Sequence, residues 1–285
     1  MKTFVLGLLS VGLLAGSEMD APGLGLVWDE ASKSLRRIAG LPGSLRNEAG
    51  PVLPDDTIRA WVSPVGMSAV VALGNGKIGL RNLRDGSTDW MDGEVPTQVV
   101  FSPDGLRVGL WWKESQRFGL WGEIAGSVAA KAIVLPNVGE PVVLEADGLV
   151  RGLGGTWIGN YDGSAVVAVD AEGLVVASKG SIVAHQWKEG RWQEEMRLER
   201  DTIPAFQQVV IEKGKSLLAV GIAGELERWD LASGAVERLA EGGVGGLRVL
   251  AQPGFYVAAG ETPQILFAAG TSQKLYLMPG TGVQQ

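Results

Sequence analysis

Apolar residues in this chain fall in short runs, and Gly, Asp, Asn and Ser interrupt them too often for any run to continue as a long helix. Residues 206–241 (FQQVVIEKGKSLLAVGIAGELERWDLASGAVERLAE) show this most clearly. Runs at 208–211, 217–220, 225–230 and 235–239 are divided by Lys213-Gly214-Lys215, Ala223-Gly224 and Ala232-Ser233-Gly234. Short apolar runs bounded by turn residues read as strands. Four of them over about forty residues predict one small antiparallel sheet.

The same unit recurs along the chain. Residues 59–64, 69–73, 77–83 and 89–91 form one copy, in which Asn75-Gly76 supplies the positive φ of a two-residue hairpin. Further copies are read at 98–108 and beyond, at 140–160, at 165–198 and from 247 to the C-terminus. A four-stranded sheet cannot hide both faces alone, whereas sheets stacked around a ring cover one another. The expectation is an all-β, single-domain β-propeller over residues 18–285. Inner strands near Ala60, Val99, Val142, Val166, Val209 and Val249 give six blades, or seven if the terminal residues make one of their own. Trp28-Asp29-Glu30-Ala31-Ser32 repeats Trp229-Asp230-Leu231-Ala232-Ser233. The chain is therefore expected to begin half way through a blade, with N- and C-terminal strands closing the ring together. Residues 41–56, rich in Gly, Pro and Asp, read as a loop.

Phe101-Ser102-Pro103-Asp104-Gly105 is a strand end running into a turn in which Pro fixes φ and Gly accepts positive φ. Here the chain resembles the WD-repeat, YVTN-type and Tol-system propellers, where such a turn joins the first two strands of a blade. Ser63-Pro64-Val65-Gly66, Glu145-Ala146-Asp147-Gly148 and Glu212-Lys213-Gly214 read as decayed versions. Trp28-Asp29 and Trp229-Asp230 echo the Trp-Asp pair of WD repeats, without the usual Gly-His.

Composition adds compartment and excludes some partners. Lys2, an apolar or small run over residues 4–15 and the small residues Ala15-Gly16-Ser17 have the form of a secretory signal peptide, so residues 1–17 are expected to be removed on export. The run is too short to span a bilayer, and no later segment is long and apolar enough to do so. The expected location is the periplasm or the medium. With 25 Lys and Arg against 32 Asp and Glu, the net charge is −7, and the basic residues are scattered. That excludes a phosphate-tracking stripe, so nucleic acid is not an expected partner. The chain has no Cys, which removes disulfides and thiolate metal sites.

Candidate chemistry is sparse. His185 is the single histidine and cannot build a multi-histidine metal centre. No nucleophile elbow accompanies it, and it reads as structural. The acids Asp104, Asp147, Asp162 and Asp170 come singly at turns, where Asp bonds the backbone, rather than at the alternate positions of a calcium loop. The ten Trp read mainly as packing between blades. Gly242-Gly243-Val244-Gly245-Gly246 matches no phosphate-binding spacing. Neither catalytic residues nor metal nor cofactor is expected.

The reading is a monomeric, exported, non-enzymatic platform for a protein or small ligand. Its contacts are expected at Thr97, Gln98, Trp112, Lys113, Glu114 and Glu140, where loops between second and third strands and those between blades share one face. The alternative is a lactonase-like or quinoprotein-like enzyme with a metal or cofactor at the central channel, since some six-bladed lactonases hold calcium with acids from separate blades.

Overall fold

Turn chemistry sets where the strands stop. At Ser102-Pro103-Asp104-Gly105 the buried Ser102 hydroxyl donates to Asp104 Oδ1 at 2.5 Å and accepts from the Arg107 amide at 2.9 Å. The Gly105 amide closes the turn on the Ser102 carbonyl at 2.8 Å, with φ at 72°. Ser63-Pro64-Val65-Gly66 keeps the same bonds without the Asp: Gly66 donates to the Ser63 carbonyl, and the Ser68 amide to Ser63 Oγ. At Trp229-Asp230, the Asp230 carboxylate accepts from both the amide and the hydroxyl of Ser233. Asp29 repeats this with Ala31 and Ser32. The Trp-Asp echo is thus a recurring Asp-capped turn.

The structure is a computed structural model that describes residues 23–40, 46–123, 126–171, 173–212 and 216–250, with the backbone of three later strands. The signal-peptide reading lies outside these residues. Every regular element among them is a strand. An N-terminal sheet holds β1 (Gly23–Asp29), β2 (Ser34–Ala39) and β3 (Arg46–Ala49). The first blade is β4 (Thr57–Val62), β5 (Ser68–Leu73), β6 (Lys77–Asn82) and β7 (Thr88–Asp92). The second is β8 (Gln98–Phe101), β9 (Val108–Trp112), β10 (Arg117–Leu120) and β11 (Gly126–Ser127). The third is β12 (Ala132–Val134), β13 (Val142–Leu144), β14 (Leu149–Gly152) and β15 (Trp157–Asn160). The fourth is β16 (Val166–Val169), β17 (Gly173–Ser178), β18 (Ser181–Lys188) and β19 (Arg191–Glu199). The fifth is β20 (Phe206–Glu212), β21 (Ser216–Gly221), β22 (Leu226–Asp230) and β23 (Val236–Ala240). The sixth is β24 (Gly246–Val249), β25 (Phe255–Ala259), β26 (Gln264–Phe267) and β27 (Lys274–Leu277).

Each blade is an antiparallel meander, and first strands neighbour one another from β8 through β12, β16 and β20 to β24. The six four-stranded blades in a ring make a six-bladed β-propeller, as the strand spacing predicts. The core is a set of seams between blades rather than one centre. Trp111 and Trp112, adjacent in β9, enter opposite seams. Trp111 packs with Phe118, Ile133 and Val143, and Trp112 with Val70, Val99 and Leu110. Strand alternation makes this unavoidable.

Three local expectations change. The stretch read as a loop contains β3, which pairs with β2 from Arg36↔Ala49 to Ala39↔Arg46. In the third blade the first strand is β12, and Val142 opens the second strand. The Glu145–Gly148 turn therefore joins second to third strands: Glu145 donates to the Leu149 carbonyl and Gly148 to the Glu145 carbonyl. The three residues of β12 lie before Pro136 and Asn137, with no Ser-Pro-Asp-Gly turn to mark them. The chain ends also meet differently. β24–β27 fill one sheet from C-terminal residues alone, while β1 pairs with β2 and β2 with β3 in a separate sheet. The last and first blades nevertheless touch. Arg248 of β24 donates from Nη2 to the Val62 carbonyl of β4 at 3.1 Å.

Candidate functional site

Between the third and fourth blades the apolar seam stops short of the rim. Its inner part is closed by Val142, Leu144, Val150, Ile158, Leu174 and Val176. Farther out, a cavity of about 480 Å³ opens, with walls that include Trp157, Asn160, Tyr161, His185, Trp192, Glu194 and Arg197. That volume falls in the range of small-molecule sites, about 300–1,000 Å³.

Two backbone features build this cleft. Gly159 carries no side chain, and a Cβ there would lie 2.8 Å from the Tyr161 ring and 2.9 Å from its hydroxyl oxygen. The Tyr161 ring can therefore fold back across β15 and bring its oxygen to 2.8 Å from His185 Nε2. In β19, Ala184 pairs with Met196 but His185 with Glu194, so Glu195 is the extra residue of a bulge. A regular strand would send residues three apart to opposite faces. The bulge instead lets Glu194 and Arg197 share the cleft face with His185. Arg197 clamps Glu194 in a fork, Nε to Oε1 at 2.9 Å and Nη2 to Oε2 at 2.5 Å, and Nη1 reaches Glu199 at 3.2 Å.

The electrostatics split the cleft into a neutral floor and a paired wall. Burial holds the His185 imidazole below its ordinary range, opposed by Glu194 and aided by Arg197. Burial also pushes the Tyr161 phenol up to about 12. Both groups are uncharged at neutral pH, with one hydrogen shared between phenol oxygen and imidazole nitrogen. On the wall, the hydrogen bond from Arg197 holds the Glu194 carboxyl below the usual carboxylate range. Trp192 packs edge-on to Trp187 with centroids 5.3 Å apart, and Trp157 is 69% exposed.

The residues singled out from sequence are only partly brought together. Thr97 accepts from the Lys113 amide at 3.2 Å and donates to the Glu114 carboxylate, so these three form one polar patch. Gln98 begins the adjoining strand β8 and is exposed. Trp112 is buried, its indole donating to the Glu94 carbonyl at 2.8 Å and the Arg117 guanidinium 5.1 Å from its ring centroid. It fills the seam between the first two blades and presents no surface to a partner, which corrects its reading as a contact. Glu140 lies elsewhere, in the connection between first and second strands, where it accepts from the Gly154 amide. The connections of this type in neighbouring blades adjoin, since the Asp104 amide donates to Asn137 Oδ1. Glu140 therefore faces the side of the ring opposite Lys113 and Glu114. Its misplacement follows from taking Val142 for an inner strand.

Sequence reasoning missed the cleft because it needs two blades at once. One local signal existed: in RWQEEMRLE the polar run Gln193-Glu194-Glu195 interrupts the alternate apolar positions Trp192, Met196 and Leu198, and the bulge falls in that run. Among the described residues, no group of three His, Asp or Glu is gathered to hold a metal ion. In the inner strand β24, burial pushes the Arg248 guanidinium down to about 10.

No family model matches the sequence, and no curated protein sequence matches it. Solved structures similar to the chain include Hsv2 of Kluyveromyces lactis with its complete loop 6CD, at TM-score 0.53 and 11% identity over 74% of this chain and 73% of that one. Another Kluyveromyces lactis Hsv2 structure aligns at TM-score 0.55 and 10% identity over 76% of both chains. Hsv2 of Kluyveromyces marxianus aligns at TM-score 0.54 and 11% identity over 76% of this chain and 78% of that one. At such identities the likeness is one of fold: the chain shares the propeller architecture of these proteins.

Proposed function

We propose that this protein is an exported, non-enzymatic binding platform whose ligand sits in the rim cleft between the third and fourth blades. One observation carries the reading. The β19 bulge turns Glu194 and Arg197 onto the same face as the Tyr161–His185 pair, inside a preformed cavity with aromatic walls. Preformed concave sites with a few convergent polar groups are where small ligands bind. The Thr97–Lys113–Glu114 patch, with Gln98 beside it, is the proposed contact for a protein partner. Export rests on the character of residues 1–17, and N-terminal sequencing of protein recovered from outside the cytoplasm should begin near Glu18.

The platform reading is tested by screening a mixed fragment library by saturation-transfer NMR against the wild type and the double variant Glu194→Ala/Arg197→Ala. Both side chains are solvent-accessible, so the variant should fold. Hits that vanish in the variant and are recovered chemically unchanged support a ligand cleft without chemistry. Hits indifferent to the variant would reject the cleft, and turnover of a fragment would reject the non-enzymatic reading.

A further inference from the structure

We infer that the rim cleft takes a neutral saccharide of one or two rings, an inference that rests on its being the ligand site. Charge decides the class first. The charged side chains lining the cleft are Arg191, Glu194 and Arg197, and Glu199 outside the lining holds Arg197 as a second carboxylate, so the Glu194–Arg197–Glu199 cluster supplies its own counter-charges. An anion would have to take Arg197 from two carboxylates that already hold it, at 2.5 Å and 3.2 Å, or rely on Arg191 alone, which is exposed and holds an ion weakly in water. A cation would have to draw Glu194 from the guanidinium. Neither exchange gains a charge partner that the wall lacks.

A hydroxyl-rich neutral ligand needs no such exchange. Arg197 spends three of its five N–H donors on Glu194 and Glu199, and each Glu194 oxygen keeps a free lone pair. Donor and acceptor thus stand side by side on a rigid fork. Two vicinal hydroxyls, each both donor and acceptor, can bridge them, with one accepting from the guanidinium and the other donating to the carboxylate. Asn160 and Thr156 add the same mixed capacity at the margin. The Tyr161 and Trp192 rings offer the apolar surface that the C–H face of a pyranose covers, and Trp157 stands exposed beside them. The pair being already satisfied, the empty cleft is stable and preorganised.

The test is saturation-transfer NMR and titration calorimetry on the full chain with maltose, cellobiose and N,N′-diacetylchitobiose. Two charged probes run beside them, inositol hexakisphosphate and benzyltrimethylammonium. We expect at least one disaccharide to bind with an affinity unchanged between low and high salt. Glu194→Ala/Arg197→Ala should weaken it at least tenfold, and Lys77→Ala, at an exposed position of the first blade, should leave it alone. If only a charged probe binds at the cleft, the saccharide is wrong and the ligand cleft stands. If no probe of any class binds there, both readings fall. Disaccharide binding that the double variant does not weaken also overturns the inference.

Discussion

Strand β19 presents the same backbone to two seams, and the two have opposite characters. Toward the fifth blade it sends Met196 and Leu198 into a filled core with Phe206, Val209, Leu217 and Trp229. Toward the third blade it sends Trp192, Glu194 and Arg197 to an open cleft. The filled seam is the ordinary business of a propeller, where a ring exists because each sheet needs its neighbours to hide apolar surface. The open seam costs that burial and leaves polar groups able to meet a ligand. A stabilising and a receptive surface can thus be one side chain apart on a single strand.

The comparison predicts unequal sensitivities. Trp229 is 3% exposed, edge-on to Phe206 at 5.9 Å and bonded through its indole to Glu227. Trp229→Ala should cost about 3–5 kcal/mol, the usual price of deleting a buried aromatic. Chemical denaturation would show it, and a loss below about 1 kcal/mol would mean that this seam is not the structural one. Tyr161→Phe removes one hydroxyl on the open side. It should cost about 1–3 kcal/mol, because His185 Nε2 then lies buried without its partner. Fluorescence-monitored unfolding should place it clearly below Trp229→Ala.

Acid sharpens the contrast further. His185 has a folded-state pKa held below its ordinary 6.5, so the unfolded chain binds the proton more readily. The stability this gives is complete above that ordinary value and declines as pH falls through it toward the folded value. Glu194 acts lower: its depressed carboxyl contributes above the ordinary 4.5 and is lost as pH falls through its folded value. The decline from pH 7 to 5 should therefore flatten in His185→Gln, while the loss below 4.5 should persist. An unchanged upper slope would mean that His185 is not the titrating group.

The two seams also differed in how far they could be read from sequence. Blades four and five are legible almost strand for strand, because Gly-bounded apolar runs of regular length encode local hairpins. The third blade is less so, since Ala132–Val134 is three residues long and followed by Pro-Asn, giving neither a run nor a signature turn. The patch of Thr97, Lys113 and Glu114 follows from strand order alone. The cleft does not: Tyr161 and His185 belong to different blades, and their meeting depends on Gly159 leaving room for a ring. Contacts between sheets carry no period in the sequence.

The smallest effect is expected from deleting Glu195, and it tests the bulge directly. With Glu195 gone, Glu194 still pairs with His185 and Met196 with Ala184, and the ladder becomes regular. Alternation then keeps Glu194 and Arg197 on the cleft side and Met196 and Leu198 in the filled seam, now without an extra residue. No side chain changes face, so stability should move by less than about 1 kcal/mol, within the range of ordinary surface changes. The Glu194–Arg197 pair should survive as near neighbours on one strand face. A loss as large as that of Trp229→Ala would mean that the bulge bends β19 into the ring, and that its twist, more than the face it assigns to each side chain, is what the fold requires.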